Sequence, residues 1–230
     1  MSQRLKLKIG LYGLLLLFTS LSLADDFSNQ VLNLSSSPRP LPDIAIDYLY
    51  QGMVHIGFGW DHLAFLFCLC ILASSIRNLL WTITAFTIGH SMSMALSFFG
   101  YVSISIPPVE AIIAMSIVLM ATQAWITLDA KQKKQSQLRM SSIIVIFGLI
   151  HGLGFASALE SIGVAEQEKI AALAFFNIGV EVGQILFVSV VYCLLASFSK
   201  VGFSYWFSKF MLVCTGTAGW FWTLERVSGF

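Results

Sequence analysis

Six long apolar stretches constrain this chain more than any other feature of its sequence. They lie at residues 53–73, 79–99, 107–127, 141–160, 170–197 and 206–226. Each is long enough to cross the ~30 Å hydrocarbon core of a bilayer as a helix, the secondary structure that satisfies every backbone group within one segment. Only 11% of the residues are charged, against about 25% in an average soluble domain. The sequence therefore predicts an all-α integral membrane protein with a six-helix transmembrane bundle.

The N-terminal residues have the pattern of a targeting segment. Residues 1–24 contain a basic region, a short apolar core and a small-residue cleavage site, which together are typical of a cleavable signal peptide. An uncleaved first transmembrane helix is the alternative interpretation. Residues 25–43 are polar and rich in proline and serine, and they predict a flexible periplasmic linker. Residues 44–230 remain as the six-span transmembrane domain.

The charges of the loops predict the orientation of the bundle. The loop at 128–140 carries four basic residues, whereas the loop near 100–106, on the opposite side, carries no charge. Because basic loops stay in the cytoplasm, we expect a multi-pass protein of a bacterial inner membrane with a periplasmic mature N-terminus and C-terminus. The short loops also predict that successive helices pack as antiparallel neighbours. The net charge of +1 gives no reason to expect a nucleic-acid partner.

The first apolar stretch contains three ionisable side chains in the segment His55-Ile-Gly-Phe-Gly-Trp-Asp61-His62. On one continuous helix, His55 and His62 would point the same way about 10 Å apart, with Asp61 turned towards a neighbouring helix or the edge of the same cavity. Ionisable groups inside a membrane are costly and mark functional sites. This segment is therefore the first candidate site.

The other ionisable groups within the spans fall at compatible depths, in the outer half of the bilayer or near its midplane. Imidazole and carboxylate groups suit divalent transition-metal ions such as Ni²⁺ or Zn²⁺. All four histidines of the chain belong to the set, so we expect one chamber that opens towards the periplasm. The predicted metal ligands are His55, Asp61, His62, His90 and His151, and the predicted cavity-lining residues are Glu110, Asn177, Glu181 and Gln184.

Two further patterns concern helix packing. Gly179 and Gly183 form a Gly-x-x-x-Gly pair, which predicts close approach of another helix. The segments that begin at Phe86 and Phe147 share the pattern Phe-x3-His-x4-Ala. Both would run outwards, so the similarity indicates either a parallel repeat or a chance match.

The combination of these motifs resembles the HupE/UreJ family of small membrane proteins, and in particular its second, less characterised branch. The resemblance covers roughly residues 48–226 and is carried by His55-x5-Asp61-His62, Phe86-Thr-Ile-Gly-His90-Ser91, Phe147-Gly-Leu-Ile-His151-Gly-Leu-Gly-Phe155-Ala156 and Phe176-Asn177-Ile-Gly179-Val-Glu181-Val-Gly183-Gln184. It implies a signal peptide, about six spans and a His/Asp metal site at His55, Asp61 and His62. It also implies nickel transport, or an accessory role beside hydrogenase and urease.

The fourth apolar stretch departs from the better-known branch of that family. That branch has a second histidine and a glutamate flanking a His-Gly pair, whereas here His151 is the only histidine and Gly154 stands where the glutamate would fall.

Two functions follow from the sequence, and whether the protein is an enzyme stays open. The first is a nickel-like divalent-cation permease or a periplasm-facing metal-binding protein, whose partners would be the ion, the lipid bilayer and metalloenzyme-maturation proteins or further copies of the chain. The alternative is an intramembrane metal-dependent hydrolase of a lipid-linked substrate. In that case three histidines would hold Zn²⁺, with Asp61 or Glu181 as general base. A metal-free packing role is the remaining interpretation.

Overall fold

All the regular secondary structure in the described part of the chain is helical. The structure, a computed structural model, describes residues 39–129, 137–161 and 164–229, with the backbone alone for 137–140 and 156–161. These ranges contain seven α-helices, a short 3-10 turn at Glu166–Glu168 and no strand. The predicted all-α fold is confirmed, while the predicted signal peptide lies outside the described residues. The helices are α1 (Leu41–Phe58), α2 (Trp60–Leu72), α3 (Ile76–Phe98), α4 (Ile106–Asp129), α5 (Gln137–Ser161), α6 (Lys169–Lys200) and α7 (Ser204–Ser228).

The helices associate mainly in three pairs whose members are far apart in the sequence. Helix α1 packs on α6, α3 packs on α5, and α4 packs on α7. The expected packing of successive helices is therefore not the main mode of association. The short helix α2 contacts α4 and α6, and its residues 65–72 are all buried.

Glycines set the α1–α6 contact, as the Gly-x-x-x-Gly pair predicted. A Cβ atom at Gly179 would overlap the carbonyl oxygen of Leu49, and one at Gly183 would lie 3.3 Å from the Cα of Met53. Contact positions advance together along both helices, so the pair is parallel. Small residues that let two backbones approach in this way are typical of membrane helix interfaces.

The two segments that share the Phe-x3-His pattern pack directly on each other. A Cβ at Gly148 of α5 would overlap the carbonyl oxygen of Phe86, and one at Gly152 would overlap that of His90. Helices α3 and α5 are therefore parallel, with the two Phe-x3-His segments side by side. Helices α4 and α7 are antiparallel instead, since Asp129 pairs with Lys209 at one end and Glu110 contacts Arg226 at the other.

The outer surface of the bundle supports a membrane location. Large apolar side chains, such as Trp81 and Met92 on α3 and Leu186 and Val190 on α6, are more than half exposed. Exposed apolar area on this scale is unusual for a soluble monomer and suits contact with lipid.

The number of spans is confirmed only in part. Within the described residues, three helical segments are long and apolar enough to cross a membrane: Ile76–Phe98, Ile106–Asp129 and Glu166–Lys200. Helices α1 and α2 make a fourth if the two are counted as one broken span. In α5 the apolar part, Ser141–Phe155, is short. Helix α7 contains serine, threonine and glycine residues together with Lys209 and Arg226, which lower its mean hydropathy.

The first predicted span is not one continuous helix. Helices α1 and α2 meet at Gly59 with an angle of 73° between them. Gly59 has φ −78° and ψ 87°, outside the helical region, and glycine disfavours the helix interior. The break lies between His55 and His62, so the expected straight-helix geometry for these two residues is wrong.

Arg39, just before α1, is attached to the bundle by ion pairs. Arg39 lies in the stretch expected to be a flexible linker, and its guanidinium contacts Asp47 at 2.7 Å and Glu168 at 3.0 Å. The hydrogen bond to Glu168 is the largest cause that raises the pKa of Arg39 above its ordinary value. This ion-pair network links the N-terminal end of α1 to the start of α6.

Candidate metal centre

The four histidines come together at the break between α1 and α2. The ring centroids of His55 and His62 are 4.6 Å apart, and those of His62 and His151 are 5.3 Å apart. The ring of His90 lies 6.0 Å from both His55 and His62. A straight helix would have separated His55 and His62 by about two turns, or ~10 Å, so the 73° bend is what brings their rings into contact.

Two of the imidazoles are oriented by hydrogen bonds at Nδ1. The Nδ1 of His62 lies 2.9 Å from Oδ1 of Asp61, and the Nδ1 of His151 lies 2.8 Å from the carbonyl oxygen of Phe147. Both partners are acceptors, so each Nδ1 carries the hydrogen, and the lone pair of each ring is on Nε2. Metal-binding histidines are typically held in this way: the ring nitrogen that does not bind the metal donates a hydrogen bond to a carboxylate or a backbone carbonyl oxygen.

Five of the six remaining ring nitrogens are buried without hydrogen bonds. Nε2 of His55, His62 and His151 and both nitrogens of His90 have no hydrogen-bond partner among the described residues. Buried polar atoms are satisfied in the great majority of cases, so five such atoms in one cluster form a donor set that an ion or ordered water would satisfy.

The donor set has the chemistry that a transition-metal ion prefers, but the described side chains are not arranged around a common point. Neutral imidazole nitrogens and one carboxylate suit Ni²⁺ and Zn²⁺. No group of three or more His, Cys, Asp or Glu side chains in the described ranges is already positioned around a common point. Ion binding therefore requires the rings to turn within the cluster.

Aromatic rings enclose the imidazoles. The ring of Phe155 lies 3.9 Å from that of His55 and stacks on Phe176, while Phe86 lies 5.1 Å from His151. The expected open chamber is not what the structure shows, since the side chains of His62, His90 and His151 are buried. Phenylalanine rings lie against the imidazoles, and the partly exposed Asp61 carboxylate is at the edge of the cluster.

The predicted cavity-lining residues lie in two other places. Asn177, Glu181 and Gln184 of α6 form a polar seam with α3, in which they accept hydrogen bonds from Ser91, Thr84 and Thr87 respectively. The fourth residue, Glu110, lies at the start of α4 and is 44% exposed. It approaches Arg226 rather than the histidines.

Arg226 is a site residue that the sequence reasoning missed. Its Nη2 lies 3.9 Å from Oδ2 of Asp61, and its Nη1 donates a 2.9 Å hydrogen bond to the carbonyl oxygen of Glu110. One signal would have found it. Arg226 is a basic residue at the predicted periplasmic end of the last apolar stretch, where the distribution of basic residues disfavours it.

Fold and site together define a class: a multi-pass helical membrane protein with a buried imidazole–carboxylate cluster at a broken helix. The family model described as HupE / UreJ protein matches residues 33–226, most of the chain. The protein belongs to the HupE/UreJ family, which is associated with nickel and cobalt transport or accessory functions. The predicted family is thus confirmed. Neither the curated proteins nor the solved structures include a match to the chain.

Proposed function

We propose that this protein binds a divalent transition-metal ion, Ni²⁺ or a similar cation, in the imidazole cluster and carries it across the inner membrane. One observation supports the proposal above all others: Nε2 of His62 and Nε2 of His151 are buried lone pairs without partners, on rings oriented through Nδ1. Unpaired buried nitrogens are costly in a protein that never binds a ligand there. An ion would satisfy them.

The helix break supports transport. Discontinuous membrane helices at an ion site, with freed backbone groups and a helix N-terminus beside the ion, are typical of secondary transporters. Gly59 provides the break here, and Asp61 lies in the first turn of α2, where the helix dipole stabilises a carboxylate.

The polar seam supplies a candidate route for the ion beyond the cluster. Helix α6 passes the cluster at Phe176, and the polar side chains of Asn177, Glu181 and Gln184 follow along the same helix. Carboxylate, amide and hydroxyl oxygens can lower the cost of a cation within the bilayer. The seam is thus the continuation of the path towards the cytoplasm.

The proposal includes the orientation and the full set of spans. Six crossings by α1–α2, α3, α4, α5, α6 and α7 are consistent with the packing, because helices that would cross in the same direction are parallel and α4 and α7 are antiparallel. The basic loop at 128–140 would then be cytoplasmic, and the end with Arg226 would be periplasmic. A signal peptide at 1–24 would place the mature N-terminus on that side.

Lipid-linked hydrolysis fits the site less well. A catalytic zinc keeps an open coordination position for water and substrate. Here Phe155 and Phe176 lie against His55, and the ring nitrogens are sealed from the surroundings. An occluded ion site, reached by a conformational change, suits the geometry better.

Uptake of radioactive ⁶³Ni²⁺ into cells tests the function directly. We expect cells that express the wild type to accumulate the ion, and the His62→Ala variant to fall to the level of cells without the protein, because Nε2 and the contact with Asp61 are lost together. Gln123→Ala, which removes a polar side chain of α4 outside the cluster, should transport normally at equal expression. Equal uptake by the wild type and His62→Ala would refute the proposal.

Glu181→Gln separates transport from binding. The amide keeps the oxygen that accepts the Thr84 hydroxyl hydrogen, so the α3–α6 contact should persist. We expect the affinity of the purified protein for Ni²⁺ to stay within about twofold, while uptake falls at least about tenfold, because the negative charge on the path is gone. Unchanged uptake would mean that Glu181 serves helix packing only.

A further inference from the structure

The carboxylate of Asp61 is shared between a histidine and an arginine. Its Oδ1 faces Nδ1 of His62 at 2.9 Å, whereas its Oδ2 faces the guanidinium of Arg226 at 3.9 Å. The same guanidinium lies 4.0 Å from Oε2 of Glu110. Arg226 therefore lies between two carboxylates from different helices. Both ion-pair distances are long, so the guanidinium can move closer to either carboxylate.

The positive charge of Arg226 would repel a cation bound beside Asp61, so its position has to be explained. Among the described residues, Arg226 is the only arginine or lysine whose side chain lies against the carboxylates of this site. At about 4 Å the guanidinium and the Asp61 carboxylate attract each other more strongly than they would in bulk water, because the surroundings are less polar. While Arg226 lies against Asp61 it offsets the charge of that carboxylate. Without the guanidinium, the full negative charge of Asp61 would be open to a divalent ion.

We propose that Arg226 is a resident cation that holds Asp61 while the metal site is empty and competes with the incoming divalent ion for that carboxylate. This inference rests on the proposed function. When an ion enters, the guanidinium leaves Oδ2 of Asp61 and pairs with the carboxylate of Glu110, to whose backbone it is already hydrogen-bonded. Arg226 thereby keeps the affinity low enough for release and excludes weakly bound monovalent cations.

A purely structural role makes a different prediction. The hydrogen bond from Arg226 to the carbonyl oxygen of Glu110 ties α7 to α4. If that were its whole role, substitution would lower the thermal stability of the metal-free protein and leave ion affinity unchanged. Competition between Arg226 and the ion predicts instead that substitution changes the ion affinity strongly and the thermal stability of the metal-free protein little.

Calorimetric titration of the purified full chain with Ni²⁺ tests the proposal. We expect Arg226→Gln to lower the Kd at least about tenfold, because the competing charge is removed. Arg226→Lys, which keeps a positive charge, should stay within about threefold of the wild type. Arg77→Gln is the matched control, since it removes an exposed arginine on α3 about 20 Å along the helix from His90.

A second variant tests the exchange of partners. Glu110→Gln removes the alternative partner of Arg226, so the guanidinium stays on Asp61 and we expect the Kd to rise several-fold. In the Arg226→Gln background the same substitution should have little effect, because there is no guanidinium left to exchange. A double-mutant cycle measures this coupling.

Each outcome decides between the two proposals. If the wild type binds Ni²⁺ and Arg226→Gln binds it equally or more weakly, competition is refuted while the metal site stands. An effect of Glu110→Gln that is equally large in both backgrounds would refute the exchange. If the wild type binds no divalent ion, the proposed function fails, and the role of Arg226 fails with it.

Discussion

Gly52→Ala is expected to destabilise the protein by about 3 kcal/mol or more, although it adds a single methyl group. The new Cβ would overlap the carbonyl oxygen of Phe176 and lie 2.8 Å from the backbone nitrogen of Val180. These are backbone atoms of α6, so no side-chain rotation relieves the contact. Thermal unfolding in detergent measures the loss, and α1 would have to move away from α6 together with His55.

The same helix contains the control for this prediction. At Gly57 no atom of the described structure lies within 4 Å of an added Cβ. Because alanine favours the helix by up to about 1 kcal/mol over glycine, Gly57→Ala should leave the stability unchanged or raise it slightly. Similar effects of the two substitutions would contradict the close α1–α6 contact.

His90→Phe is expected to stabilise the metal-free protein by about 1–3 kcal/mol and to abolish ion binding. His90 is fully buried, and neither ring nitrogen has a partner in the described part of the chain. Phenylalanine has a similar shape and can keep the parallel arrangement with the ring of Phe86, but it buries no polar atom. A substitution that raises the stability of the protein and abolishes ion binding identifies a residue that is retained for function.

His151→Phe is the matched comparison for His90→Phe. His151 donates a hydrogen bond from Nδ1 to Phe147, so its replacement removes one satisfied group together with one unsatisfied group. We expect a smaller gain in thermal stability than for His90→Phe and the same loss of binding. Destabilisation of the metal-free protein by His90→Phe would contradict the assignment of unsatisfied ring nitrogens.

The sequence was sufficient to predict that the histidines lie together but not how they are arranged. Histidines within apolar stretches are costly, so His62, His90 and His151 could be assigned to one cluster from their depths alone. The contact between His55 and His62 could not be predicted in this way. It depends on the backbone at Gly59, and a glycine in a helical pattern is compatible with a continuous helix as well as with a break.

Which helices pack against each other also could not be predicted from the local sequence of each helix. Loop lengths favoured successive neighbours, whereas two of the three observed pairs have glycines at the contact on both partners, such as Gly52 with Gly179 and Gly89 with Gly148. A glycine pattern predicts close approach without naming the partner helix. Arg226 was overlooked for a related reason, since its partners Asp61 and Glu110 lie on helices that only the fold brings together.

X-ray absorption spectroscopy at the nickel edge, on purified protein with equimolar Ni²⁺, tests whether the buried histidines hold the ion. We expect the outer-shell scattering of at least two imidazole rings around the ion in the wild type, and none in His151→Phe, which loses Nε2 and with it the binding of the ion. A first shell of oxygen atoms only, or identical spectra for the wild type and His151→Phe, would show that the buried histidines do not hold the ion.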